Sequence, residues 1–254
     1  MYSFSVLINL REVIGVNDLL KAITFDFWDT LYKIPEGLII SGKRVAAFNQ
    51  IIRAMGCEVE DEAVREAFQD CWQYAHEYQV DYGMDITPTG HVNYILGQLK
   101  LKLESEDWDR VYRVYTSVLI DFPPRLNEGV LETLPFLAQK YKLAVICNTG
   151  VTPGSILREI MKVDDIYRFF NVLVFSDEVH WAKPNVKIFD YTLQNLQVKN
   201  IEAAHIGDDS STDVTGAKRA GMTAVWLAPE AREKTPCCDY HVRNIKELCT
   251  LFPE

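Results

Sequence analysis

Apolar positions along the chain follow two alternating periods, one suited to buried strands and one to amphipathic helices. The first strand pattern is Ala22-Ile-Thr-Phe25, which ends abruptly in Asp26. A short β-branched and aromatic run of this kind predicts a parallel strand buried on both faces. It would deliver one carboxylate to its carboxyl end, where open α/β sheets place their sites. From 41 to 121 the period becomes helical. Val45, Phe48, Ile52 and Met55 recur at three- and four-residue steps, as do Val64, Ala67, Cys71, Tyr74 and Tyr78, then Trp108, Val111, Tyr115 and Val118. Each set marks one face of a helix. A shorter helix over 91–100 follows the start signal Thr87-Pro88-Thr89. The stretch reads as an insert of about four helices without a strand, entered through the linker Ile34-Pro-Glu-Gly37 and closed by Phe122-Pro-Pro124.

Beyond 126 strands and helices alternate. Val130, Leu134, Leu137 and Tyr141 stripe a helix, and a strand over 143–146 ends at Cys147-Asn-Thr-Gly150. A helix over 153–163 and a strand over 172–175 follow, and then a helix marked by Val186, Phe189, Leu193 and Leu196. A strand over 203–206 ends at Gly207-Asp-Asp209. A helix to 220, a strand over 223–227, a short strand over 240–242 and a helix over 244–251 complete the pattern. Such alternation predicts an α/β fold, a mostly parallel sheet with helices on both faces. One strand precedes the insert and the others follow it, so the expected division is a core of 22–34 and 123–254, an all-helical cap of 35–122, and an N-terminal extension of 1–21 with a short helix at 17–21.

Composition narrows the function. With 254 residues and 48% hydrophobic composition the chain can bury an ordinary core. Twenty-six basic against thirty-six acidic side chains, a net charge of -10, argue against nucleic acid and anionic membranes as partners. An anionic substrate would need locally concentrated cations or a metal ion. The six cysteines, Cys57, Cys71, Cys147, Cys237, Cys238 and Cys249, show neither C-x-x-C pairing nor a histidine at zinc-ligand spacing. Reduced thiols in a cytoplasmic protein are the expectation. No apolar run reaches bilayer-spanning length, and 1–10 lacks the basic leader and cleavage site of a signal peptide.

On its own, Asp26 could attack an electrophile, ligate a hard cation or cap the following turn. Its company is more specific. In order come Phe25-Asp-Phe-Trp-Asp-Thr-Leu31, Ala144-Val-Ile-Cys-Asn-Thr-Gly150, Trp181-Ala-Lys-Pro-Asn185 and His205-Ile-Gly-Asp-Asp-Ser-Ser-Thr-Asp213, flanked by Leu126-Asn-Glu-Gly-Val130 and Gly216-Ala-Lys-Arg-Ala-Gly-Met222. With these segments the chain, from 22 to 251, resembles the haloacid dehalogenase-like (HAD) hydrolase superfamily, in the subgroup whose helical cap is inserted after the first strand. The resemblance implies a Rossmann-like core and a Mg²⁺-dependent phosphohydrolase acting on a small phosphorylated metabolite, as monomer or homodimer. It makes Asp26 the nucleophile that becomes an aspartyl-phosphate. Asp26, the main-chain carbonyl of Trp28, Asp208 and Asp213 would form the metal site, an oxygen-only set that suits Mg²⁺. Asp213 would hold metal-bound water or the motif lysine, Lys183, which offsets the charge of phosphoryl group and nucleophile. Cys147 stands where the family carries Ser or Thr, and a thiol is a poorer donor. Phosphate binding would therefore lean on the Asn148 amide and the Thr149 hydroxyl.

Trp28 is the larger departure. Family phosphatases usually carry a second Asp at this position to protonate the leaving oxygen, and tryptophan cannot transfer that proton. Asp29 lies one residue late and should point elsewhere unless the loop rearranges. The same departure opens other readings. Dehalogenating relatives carry an aromatic residue here, but work without the metal site that Asp208 and Asp213 retain. A phosphate-binding or interaction module on the same fold is a third reading. Phosphonate-cleaving relatives use a cap lysine; Lys43 and Arg44 lie nearby, and solvated helix charges are their plainer reading. The cap aromatics Trp72, Tyr74, Tyr78, Tyr82, Tyr94, Trp108, Tyr112 and Tyr115 read mostly as helix packing, and the five histidines receive no role.

Overall fold

A computed structural model describes residues 19–33, 37–231, 235 and 237–253. The expected extension up to 18 and most of the Ile34–Gly37 linker therefore lie outside the described residues. The elements in chain order are β1 (Ala22–Phe25), β2 (Tyr32–Lys33), α1 (Gly37–Ala54), α2 (Asp61–Tyr82), α3 (Pro88–Gln98), α4 (Ser105–Thr116), α5 (Val118–Asp121), β3 (Arg125–Leu126), α6 (Val130–Leu137) and β4 (Lys142–Cys147). There follow α7 (Gly154–Val163), β5 (Val172–Phe175), α8 (Ser176–Val179), α9 (Val186–Leu196), β6 (Ala203–Gly207), a π-turn (Ser210–Val214), α10 (Thr215–Arg219), β7 (Thr223–Leu227), β8 (Tyr240–Val242) and α11 (Glu247–Leu251).

Six strands form a parallel sheet in the order β5-β4-β1-β6-β7-β8. The chain builds outward from β1 through β4 to β5, then returns to β1's other side with β6. The crevice of an α/β sheet opens where the order reverses in this way, so β1 lies at the switch point. Both faces of β1 are covered. Ile23 and Phe25 pack with Leu134, Leu157 and Leu248 on one side, and Ala22 packs with Ile188, Phe189 and Leu193 on the other. Burial on both faces explains why the strand reads as a continuous apolar run.

The insert has its own core, in which Phe48, Ile52, Val64, Phe68, Val92, Ile95, Val111 and Tyr115 are joined, among the described residues, by Val151 from the sheet side. Two junctions seat it. One is the antiparallel pairing of β2 with β3, Tyr32 opposite Leu126 and Lys33 opposite Arg125. The sequence pattern did not predict it, because two-residue strands carry no periodicity. The other joins the loop after α2 to the segment after α8: Ala182 N donates to Gly83 O at 3.0 Å, Asp85 N donates to His180 O at 3.0 Å, and Met84 bridges Trp181.

Other differences are local. The helix expected over 91–100 starts earlier, at Pro88, because the Thr87 hydroxyl caps it by accepting from Gly90 N at 3.3 Å. The helix expected up to 220 opens as a π-turn before α10. Among the described residues no helix is long and apolar enough to cross a membrane.

Ile206 in β6 is fully buried against the α6, α7 and α11 side of the sheet. Ile206→Ala should cost about 2–5 kcal/mol in urea unfolding. A loss below about 1 kcal/mol would contradict this close-packed position.

Candidate active site

The carboxyl ends of β1, β4 and β6 meet the loop between α8 and α9. Asp26 N donates to Ile206 O at 2.8 Å, which continues the β1–β6 ladder by one residue and holds Asp26 at the strand's mouth. Lys183, only 2% exposed, directs its ammonium between two carboxylates. It pairs with Asp26 Oδ1 and, at 2.6 Å, with Asp213 Oδ1. Asp26 Oδ2 has no hydrogen-bond partner among the described residues. The Lys183 main chain is held by the Asn148 side chain through reciprocal bonds, Lys183 N to Oδ1 at 2.7 Å and Nδ2 to Lys183 O at 3.0 Å.

Asp213 reaches this point through the π-turn. Val214 N donates to Asp209 O, five residues back, and Asp209 caps the turn by accepting from Ser211 N at 2.7 Å and Thr212 N at 3.2 Å. Such turns are frequent at functional sites, where they redirect a side chain. The turn brings Asp213 against Gly207, where an added Cβ would lie 2.2 Å from Asp213 Cγ. Both oxygens of Asp213 are engaged: Oδ1 with Lys183 and with His205 Nε2 at 3.1 Å, Oδ2 with Asp209 N at 3.1 Å.

His205 received no role from the sequence. It sits beneath Asp213 with Nδ1 2.8 Å from the Thr24 hydroxyl. Burial lowers its pKa although Asp213 opposes this. A neutral ring with its proton on Nε2 donates to Asp213 and accepts from Thr24 at Nδ1. The period-2 alternation of β6 placed His205 on the same face as Gly207, and that was the available signal. Trp226 of β7 also acts on the site, its indole N–H donating to Asp208 O at 2.7 Å.

The charges do not balance. Carboxylate oxygens of Asp26, Asp208 and Asp213 lie within 4.8 Å of one another. Burial favours a neutral Lys183, but Asp213 and Asp26 outweigh it and hold the ammonium above the ordinary lysine range. Burial would raise Asp213, yet Lys183 and His205 hold it down to about 2. Burial pushes Asp26 well above the carboxylate range against the pull of Lys183, and burial, Asp213 and Asp29 push Asp208 up to about 6. With two of these three carboxyl groups pushed toward protonation around one ammonium, a further cation would hold them ionised, and hard oxygen donors suit a divalent one. The Trp28 carbonyl accepts no main-chain hydrogen bond among the described residues.

The remaining predicted residues divide. Cys147 ends β4, fully buried, and burial raises its thiol well above the ordinary range, so it is neutral. The Asn148 side chain is committed to Lys183. The Thr149 hydroxyl bonds Asp85 Oδ2 at 3.2 Å and Ser176 Oγ at 3.0 Å, and accepts from Asp177 N at 3.2 Å. Asp85 belongs to the insert, and its carboxylate also accepts from Ser176 Oγ, so Thr149 ties insert to core. Trp28 packs edge-on against Phe27 and lines a cavity under the insert. Asp29 is exposed at φ 52°, its main-chain carbonyl held by Asn127 Nδ2 at 2.8 Å. Arg44 corrects the reading of a solvated helix charge: it is only 6% exposed.

The chain and its fold are similar to those of known proteins. The family model described as haloacid dehalogenase-like hydrolase matches residues 23–227. A glyceraldehyde 3-phosphate phosphatase of Methanothermobacter thermautotrophicus is 29% identical over 216 residues, which cover 85% of this chain and 88% of the relative. The crystal structure of a HAD phosphatase from Thermococcus onnurineus superposes with a TM-score of 0.66 at 26% identity, covering 92% of this chain and 98% of its own. A 2-haloacid dehalogenase from Pseudomonas syringae pv. Tomato DC3000 gives a TM-score of 0.69 at 20% identity, over 91% and 97% of the chains, and shares the fold.

Two measurements test the site as built. Gly207→Ala should destabilise the protein by about 1–3 kcal/mol, because Asp213 and the π-turn must shift to admit one methyl group; an unchanged urea midpoint would contradict the close approach. Mg²⁺ at about 100 times its Kd should add about 2.7 kcal/mol, raising Tm by about 5–10 °C for a chain of this size. Asp208→Asn should remove most of that rise, and an equal rise in the variant would contradict the carboxylate cluster as the binding site.

Proposed function

Because the chain belongs to the haloacid dehalogenase-like hydrolase family, we propose that it is a Mg²⁺-dependent phosphohydrolase of small phosphorylated metabolites, working through an aspartyl-phosphate on Asp26. The observation that carries this reading is the buried ammonium of Lys183 between Asp26 and Asp213, with Asp208 beside them. Asp26, Asp208 and the Trp28 carbonyl would hold the ion, with Asp213 behind them. Bound there, the ion supplies positive charge that lets an anionic phosphoryl group approach a carboxylate.

The chain's own residues do the rest. Lys183 fixes Asp26 through Oδ1 and leaves Oδ2 as the attacking oxygen. Lys183 and the main-chain N–H of Asn148 offset charge on the phosphoryl oxygens. The bond from Oδ2 to phosphorus forms as the bond to the leaving oxygen breaks, and that oxygen departs with the electron pair. Water then attacks the phosphorus, phosphate leaves, the carboxylate returns and the water's proton passes to solvent. Asp213, held ionised by Lys183 and His205, keeps Lys183 protonated throughout.

Trp28 sets the preference. It offers no proton to the leaving oxygen, and general acid help is typically worth about 10²–10⁴ in rate. Acyl and aryl phosphates, whose leaving groups are stable anions, need it least. The aromatic residue also supports a second reading, a 2-haloacid dehalogenase in which halide leaves unprotonated; the carboxylate cluster weighs against it.

Phosphate release from acetyl phosphate, p-nitrophenyl phosphate and a sugar phosphate should be rapid for the first two and slow for the third, and Asp26→Asn should abolish all three. Trp28→Asp should narrow the gap by about 10² or more if it restores the acid. Equal turnover of all three by the wild type would contradict the missing acid. Halide release from 2-chloropropionate without metal, with no phosphate release, would favour the dehalogenase.

A further inference from the structure

A cavity of about 1320 Å³ lies between α1 and α2 of the insert and the core segment that follows β4. Trp28, Asn148 and Thr149 form part of its wall, so it opens beside the Asp26 loop and the residue that holds Lys183. Three cationic side chains line it: Arg44, Arg53 and Arg65. Arg53 pairs with Asp61 and Arg65 pairs with Glu62, and both are exposed at the surface. Arg44 differs. It is only 6% exposed, and among the described residues no carboxylate pairs with it.

One of its N–H groups is accounted for, since Nε donates to Tyr115 O at 2.9 Å. The Tyr115 ring, 5.7 Å from the guanidinium carbon, adds a weak cation–π contact. Neither contact neutralises a buried guanidinium, and burial correspondingly lowers its pKa. A charge held out of water without a counter-ion is costly unless something in the working state supplies one. The planar fork of donors on a guanidinium matches carboxylate and phosphate oxygens. Around it the wall is mainly apolar, with Ile40, Val45, Phe68, Trp72 and Leu119.

We propose that Arg44 binds a second oxyanion, a carboxylate or a phosphate, on the leaving group of the substrate, whose body is otherwise largely apolar. This rests on the phosphohydrolase reading above and names the substrate class of that site. The interaction lies away from the reacting phosphorus, and binding energy from remote groups of this kind serves to orient the ester.

The test compares three esters with similar aryl leaving groups: phenyl phosphate, 4-carboxyphenyl phosphate and 1,4-phenylene bisphosphate, with the Mg²⁺-loaded full chain. The wild type should favour one of the two doubly anionic esters over phenyl phosphate by about tenfold or more in kcat/KM. A preference for the carboxylate assigns a carboxylate to Arg44, and a preference for the bisphosphate assigns a phosphate. Arg44→Gln should erase the preference and Arg44→Lys should restore part of it. Because the readout is a ratio between substrates, a general loss of activity cancels. If Arg44→Gln fails to fold, Arg44→Lys carries the assignment through a reduced preference, and absence of any wild-type preference overturns the proposal without either variant. Turnover of all three esters without preference would overturn this proposal and leave the phosphohydrolase reading standing. A preference that survives in Arg44→Gln would also overturn it. No turnover of any aryl phosphate would overturn both.

Discussion

The structure depends on keeping one ammonium group in a buried position between two carboxylates. Lys183 can stay charged there because Asp26, just past β1, and Asp213, in the π-turn after β6, both face it, and each arrives by its own route. Asp26 continues the β1 ladder, Asp213 is turned back by the π-turn, and Asn148 holds the lysine main chain from β4's end. Removing one partner of such a buried pair leaves an uncompensated charge, which is far more costly than never forming the pair. The sheet order, with β1 flanked by β4 and β6, is therefore what makes this arrangement possible.

A second layer restrains the first. Thr24, His205 and Asp213 form a line of hydrogen bonds across β1 and β6, and Gly207 lets the carboxylate come close enough to complete it. Trp226 fixes the Asp208 main chain from the neighbouring strand. Neutral donors held this way need no reorganisation when charge moves in the site. The insert is anchored close by, since Gly83 and Asp85 bond the segment that leads into Lys183, and Thr149 shares Asp85 with Ser176. Cavity, insert and reacting centre thus share one set of loops.

Much of this was legible in the sequence because strand ends carry a strong signal. The run from Ala22 to Phe25, the apolar stretch before Cys147 and the one before Gly207 became β1, β4 and β6, and the parallel α/β fold follows from their alternation with helices. Asp26, Lys183, Asp208 and Asp213 are widely spaced in sequence and converge at one point. What stayed hidden has specific physical causes. Two residues in β2 and two in β3 are too few to show a period. The π-turn has the composition of an ordinary capped helix start, and Asp209 caps it as such. His205 and Arg44 looked unremarkable because exposure is not written in the chain: one lies beneath a carboxylate and the other faces a cavity formed by distant segments.

The central claim is that the Asp26 carboxylate, held by Lys183, is the phosphoryl acceptor. Turnover of acetyl phosphate in the presence of Mg²⁺, quenched rapidly in acid and followed by peptide mass spectrometry, tests it most directly. The account predicts a phosphoryl adduct on the peptide containing Asp26, labile to hydroxylamine and absent from Asp26→Asn. Rapid phosphate release with no adduct at any quench time, or with an adduct on another residue, would contradict it.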